Sequence, residues 1–273
     1  MRTFHTLLLS SGVLFAAIFA GPARAETVDC APINALPYTI STSGIYCLTG
    51  DLNTAMTSGS AITIDANNVT LDLNSWRLGG LAAGAGTTAL GISADQRKNI
   101  TIKNGTIRGF YRAIMLTGTG QGHVVEGLRI EQNRLNGINI TGAGTIIRFN
   151  QVVDTGGSTV AGTPYGIVTF GDGARVLDND VVGATASGSN YAYGIAILSG
   201  SGAIVANNRI DNISSVLGSY GIRVDVINAL IRANSITNTS YGVVFNGSGK
   251  YMNNLTANVT TPFAGGTAVG TNN

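Results

Sequence analysis

Histidine is almost absent from this chain. Of the two present, His5 lies in an N-terminal stretch that reads as a leader, so a mature protein keeps only His123. One imidazole cannot supply a zinc-protease helix, which needs a pair, nor a His-containing epimerase motif. No Gly-x-Ser-x-Gly stands beside it to suggest a Ser-His-Asp arrangement, and no Gly-x-x-x-x-Gly-Lys suggests a phosphate loop. Gly118-Thr119-Gly120 and Gly200-Ser201-Gly202 lack a following helix and read as turns. No cofactor is expected.

Charge is scarce too, at 11% of residues, with 16 basic and 14 acidic side chains. Arg2 and Arg24 would leave with the leader, and the remaining 14 basic residues balance the 14 acidic ones. A nucleic-acid binder concentrates a basic excess on one face, so no nucleic-acid partner is expected. Apolar runs are equally rare. The single long one, Leu7 to Ala20, follows Arg2 and His5 and precedes Gly21-Pro22-Ala23-Arg24-Ala25, the small-x-small form of a signal-peptidase site. Residues 1–25 are therefore expected to be a signal peptide cut before Glu26. A retained anchor needs about 20 apolar residues, more than this run offers. Export to the periplasm or the exterior follows, with no membrane insertion after cleavage.

Only two cysteines occur, Cys30 and Cys47. In an exported chain they most simply pair as a disulfide; free thiols or a metal pair is the competing reading. Closing a loop of this size is worth about 3 kcal/mol in the chain-entropy model. With Pro32 and Pro37 as breakers, residues 26–60 read as an N-terminal cap stapled by that bridge.

What the chain has is a repeat. An apolar-Asn-apolar stretch is followed by a Gly-Ile strand, as in Val205-Ala206-Asn207-Asn208-Arg209-Ile210 and then Tyr220-Gly221-Ile222-Arg223-Val224. Leu71, Ile102, Val125, Ile147, Val176, Val205 and Ile231 share one column, spaced by 31, 23, 22, 29, 29 and 26 residues. Three residues on come Asn74, Gly105, Leu128, Asn150, Asn179, Asn208 and Asn234, with Asn253 in a shorter eighth copy. Asn and Gly tolerate a left-handed backbone, which places one tight bend in each repeat. Small residue then aliphatic residue then alternation is a half-buried strand. Ile62, Ile92, Ile114, Ile138, Ile167, Ile195, Ile222 and Val243 should form one inward column of eight coils. No repeat can bury its apolar face alone; stacked, the repeats close a continuous core.

This phrase, over roughly Ala61 to Leu255, resembles the right-handed parallel β-helix of the pectate-lyase-like superfamily. The right-handedness is what the resemblance implies. The opening from Tyr38 to Leu52 is similar to the lead-in of uncharacterised bacterial secreted β-helix proteins, which brings a fold without an established activity. The expected division is a β-helix over 61–255 and an irregular last coil or tail over 256–273.

On the outward side of the Gly-Ile strands the only acids read from the repeat are Asp95 and Asp225, five coils or about 24 Å apart. Glycoside hydrolysis needs two carboxyls about 5–9.5 Å apart. No acidic cluster matches the superfamily's calcium site, so the resemblance carries no catalytic residue across and no metal is expected. Asp72, Lys103, Glu126 and Arg148 alternate in sign down successive coils and read as a surface ladder. Asp178 and Asp180 flank a bend, where turn chemistry competes with a calcium site. Tyr165, Tyr193, Tyr220 and Tyr241 precede the glycines of successive coils and should stack. Such a column either packs or offers a sugar platform. Arg223 and Asp225, two apart on one strand, would add the oriented polar contacts of a site. The sequence thus reads as a non-catalytic polysaccharide-binding or surface module. A lyase or hydrolase with a non-standard site, and a structural or adhesive rod, are the alternatives.

Overall fold

The computed structural model describes residues 29–273; the expected leader and its cleavage point lie outside them. A typical coil runs through Ile204–Ala206, a bend at Asn207, Arg209–Asp211, a surface loop, Ser219–Val224 and a turn into Ala229–Arg232. Each strand pairs in parallel with its counterpart one coil on, giving a pre-bend, a post-bend and a Gly-Ile row of strands around one core.

The aliphatic column is as expected. Ile62, Ile92, Ile114, Ile138, Ile167, Ile195, Ile222 and Val243 are fully buried and in register. One further row flanks it at each end, with Tyr38 opposite Ile62 and Phe263 opposite Val243. Burying each side chain is worth about 1.5–3 kcal/mol. The small residue before each Ile has a packing cause: a Cβ at Gly166 would meet Val181 Cγ1 at 2.4 Å, and one at Gly221 would meet Ile236 Cγ2 at 2.5 Å.

Both ends join the same architecture. Cys30 and Cys47 form the disulfide, with Cα atoms 5.8 Å apart. It ties the start of Ala31–Ile33 to Gly44–Leu48, its parallel partner, which in turn pairs with Val69–Asp72. At the other end Leu255–Ala264 continues the row of Ser235–Phe245, and Thr267–Ala268 that of Gly249–Met252.

The asparagine column needs correcting. At Asn150, Asn179, Asn208 and Asn234 the left-handed residue is the one before: Phe149, Asp178, Asn207 and Ala233, with φ of 55–59°. In the last copy Asn253 is the bend and Asn254, not Asn253, continues the column. Of the other members only Asn74 is itself left-handed, at φ 50°. The buried asparagines instead form a hydrogen-bonded ladder. Asn179 donates its backbone N–H and its Nδ2 to Asn208 Oδ1 at 2.9 and 3.0 Å, and Nδ2 also to the carbonyl of Ile147. Its own Oδ1 accepts both equivalent donors of Asn150. The pattern continues through Asn234 and Asn254 to Asn272. A polar side chain is tolerated in the core because each of its hydrogen-bonding groups is used. The ladder holds the bend, so residues as poorly suited to αL as Phe149 can occupy it.

His123 is the other buried polar group of note. It is 1% exposed, and neither ring nitrogen has a hydrogen-bond partner. Burial lowers its pKa to about 4. Protonation therefore favours the unfolded chain, and the native advantage present above pH 6.5 should drain away as pH falls toward 4. Urea unfolding between pH 7 and 4 should show this slope, and His123→Leu should flatten it.

Asn179→Ala should cost at least about 3 kcal/mol, since it orphans several buried groups at about 1–3 kcal/mol each. Asn139→Ala, on the outer face, should stay within about 0.5 kcal/mol of the wild type. Equal effects in urea unfolding would remove the ladder from its structural role.

Candidate functional site

Outward side chains of the Gly-Ile row carry the chemistry. Tyr165, Tyr193, Tyr220 and Tyr241 stack at centroid distances of 5.0, 4.9 and 4.8 Å with planes 12–18° apart. The strand register imposes this, because the four occupy equivalent rows. Tyr165, Tyr193 and Tyr220 pack with Val168, Ala196, Phe170 and Leu198 in a small apolar cluster outside the solenoid. Tyr193 is only 3% exposed. Face-to-face stacking covers the inner ring faces, so the column offers edges and hydroxyls to solvent.

Tyr191 was not anticipated. It packs edge-on against Tyr220 at 5.8 Å and tilted against Tyr193 at 6.4 Å, and it stays 41% exposed. The Tyr-Ala-Tyr spacing of 191 and 193 was the available signal, since residues two apart share a strand face. One alignment also shifts: a bulge after Thr169 pairs Phe170 with Ser199 rather than Leu198.

Arg223 and Asp225 do face the same way. Arg223 Nε donates to Asp225 Oδ1 and Oδ2 at 2.9 and 3.1 Å, and its Nη1 donates to the Tyr193 hydroxyl at 2.8 Å. Its guanidinium lies 5.5 Å from the Tyr193 centroid, and Asn246 Nδ2 donates to Asp225 Oδ1. The hydrogen bond that Arg223 donates to Asp225 raises the Arg223 pKa. Burial raises the phenols of Tyr165, Tyr193 and Tyr220, so all three stay neutral near pH 7.

Farther toward the N-terminus the same face opens into a cleft of about 360 Å³ lined by Asp65, Ser93, Asp95, Arg97, Met115 and Thr117. Here the column of acids gains a member. Ile64 pairs with Ala94, which sets Asp65 one row from Asp95. The repeat reading missed it because that column was started at Asp95, one coil late. Asp65 is bound by Arg97 at 2.5 Å, and Asp95 accepts from Thr117 at 2.9 Å.

Other charges are structural. Lys103 lies 3.5 Å from Asp72, and Arg148 2.7 Å from Glu126, as the alternating ladder predicts. Asp178 accepts from Asn207 and Asp180 pairs with Arg209. Among the described residues no group of three His, Cys, Asp or Glu side chains could hold a metal, and no helix is long and apolar enough to cross a membrane.

A family described as the right handed beta helix region matches residues 90–273. The chain belongs to this family. No curated protein matches it. Among solved structures it is similar to the Dettilon tailspike protein, with a TM-score of 0.58 and 13% identity over 84% of this chain and 56% of that one. It is likewise similar to tailspike protein 2 of the Escherichia coli O157:H7 bacteriophage CAB120, at 0.52 and 13% over 83% and 34%. The chain thus spans little more than half of the first and a third of the second. An alginate lyase from Paenibacillus sp. aligns over 85% of this chain and 99% of its own, at 15% identity and a TM-score of 0.47. At such identities the likeness to the two tailspike proteins shows the fold alone.

Tyr193→Ala should cost about 3 kcal/mol or more, because it empties the centre of a closed aromatic cluster. Tyr191→Ala should cost well under half of that. Thermal melts of the two variants would check the difference, and equal losses would contradict it.

Proposed function

We propose that this is an exported, non-catalytic polysaccharide-binding module, acting in the periplasm or outside the cell. The contact surface is the aromatic face of the later coils around Tyr165, Tyr193, Tyr220, Tyr241, Arg223 and Asp225. The observation that carries the reading is the polar group at its rim: Arg223, Asp225 and Asn246 are tied together beside tyrosine edges, with the open ring of Tyr191 on the loop side. Binding sites of this kind combine an apolar surface with a few oriented polar groups. Tyr193 is the inner member, fixing Arg223 through its hydroxyl, while Tyr191, Tyr220 and Tyr241 meet the sugar. The disulfide accords with an oxidising compartment.

A hydrolytic reading has one specific observation in its favour, the adjacent rows of Asp65 and Asp95, about 4.8 Å apart along the row. That spacing suits a carboxylate pair across a glycosidic bond. Against it, Asp65 is already neutralised by Arg97 and both carboxylates face solvent.

A panel of polysaccharides, read for both retention and released product, tests the two together. Binding without product is expected, and Arg223→Gln or Tyr191→Ala should weaken it about tenfold, the scale of one charge-assisted or aromatic contact. Retention unchanged by both variants would remove the aromatic face from the reading. Product formation abolished by Asp95→Asn would replace the binding module with an enzyme.

A further inference from the structure

The mature charge is balanced overall but unevenly placed. After Asp225 no acidic side chain occurs, and the chain through residue 273 contains Arg232 and Lys250. Both lie on the outer side of the pre-bend row. Ile231 is buried, which turns Leu230 and Arg232 outward, and Ile231 pairs with Tyr251, which places Lys250 and Met252 in the same outward columns. Two coils earlier, buried Val176 turns Arg175 outward, in the column that runs Arg175, Ile204, Leu230, Lys250, Thr267.

Among the described residues none of these three cations forms an ion pair, which is also true of Lys98, Arg112 and Arg134, whereas Arg77, Arg97, Lys103, Arg108, Arg129, Arg148, Arg209 and Arg223 all do. The acid that follows on the Arg175 strand, Asp178, sits in the bend and accepts from Asn207 instead. Beside Lys250 the surface opens into a cleft of about 500 Å³ walled by Asn228, Leu230, Ser248 and Thr267. It holds a cation, hydroxyl and amide groups, an aliphatic floor and no carboxylate.

We propose that this cleft, with Arg232 beside it and Arg175 about 14 Å up the column, binds the anionic group of an acidic glycan. The ligand chemistry is a carboxylate or sulfate ester on a hydroxyl-rich polymer. The hydroxyl and amide walls suit sugar hydroxyls, and cations spread over several coils suit an extended chain. A lysine with no carboxylate partner attracts such a group more strongly than one already paired. The site lies on a different row of strands from the aromatic face and does not depend on it.

The test compares retention of the mature protein on carboxymethyl dextran, dextran sulfate and plain dextran, and on phosphatidylglycerol vesicles. Retention on one or both charged dextrans, lost at high salt and absent on plain dextran, is expected, and which dextran retains it distinguishes carboxylate from sulfate. Lys250→Gln with Arg232→Gln should weaken retention at least about tenfold. Arg209→Gln, which removes a paired surface cation, should leave it within about twofold. Circular dichroism confirms that each variant is folded. Retention unaffected by the Lys250 and Arg232 changes, equal retention on plain dextran, or stronger retention on the vesicles would overturn the proposal.

Discussion

The bend is the constraint on which the rest of this molecule depends. Each coil must turn sharply between its pre-bend and post-bend strands, and a left-handed residue alone makes that turn at a conformational cost for anything but glycine or asparagine. The ladder from Asn150 to Asn272 offsets the cost by joining every bend to the next through two donors on one acceptor. With the bends aligned, the aliphatic column comes into register, and with the column in register the outward rows become ladders of their own. The tyrosine stack and the alternating charges are both consequences of one residue in each coil occupying the same place.

How much of this was legible follows from the physics of each column. The inward isoleucines were readable because burial admits only aliphatic residues there, and their spacing survives loops of any length. The asparagine column was readable as a column but not as a ladder. Left-handed backbone and buried amide networks favour the same residue type, so composition alone could not say which of two neighbouring positions bends. Phe149 and Ala233 settle it, since neither would be chosen for a left-handed turn. The bulge after Thr169 and the edge-on ring of Tyr191 depend on packing between coils, which the repeat does not encode.

The outer surface was less legible than the core. The repeat correctly put Arg223 and Asp225 on one side of a strand, but it could not say that the guanidinium would also reach Tyr193. Asp65 was lost to the choice of where a column begins, and the unpaired cations to a balanced total. A sum of charges erases position, whereas a solenoid assigns every outward residue to a row and a coil. Two faces of one rod then carry different chemistries, an aromatic one with an internally matched ion pair and one that, over its last coils, holds cations without acids.

The ladder also makes the coil an interchangeable part. Each buried asparagine presents the same acceptor backward and the same donors forward, so a coil meets its neighbours through identical terms whatever its loops contain. The spacings of 22 to 31 residues show how freely those loops vary in length. A coil added or removed between Asn150 and Asn254 would leave both new neighbours with a matching joint. The length of the rod is therefore an adjustable dimension, independent of the geometry of any one turn.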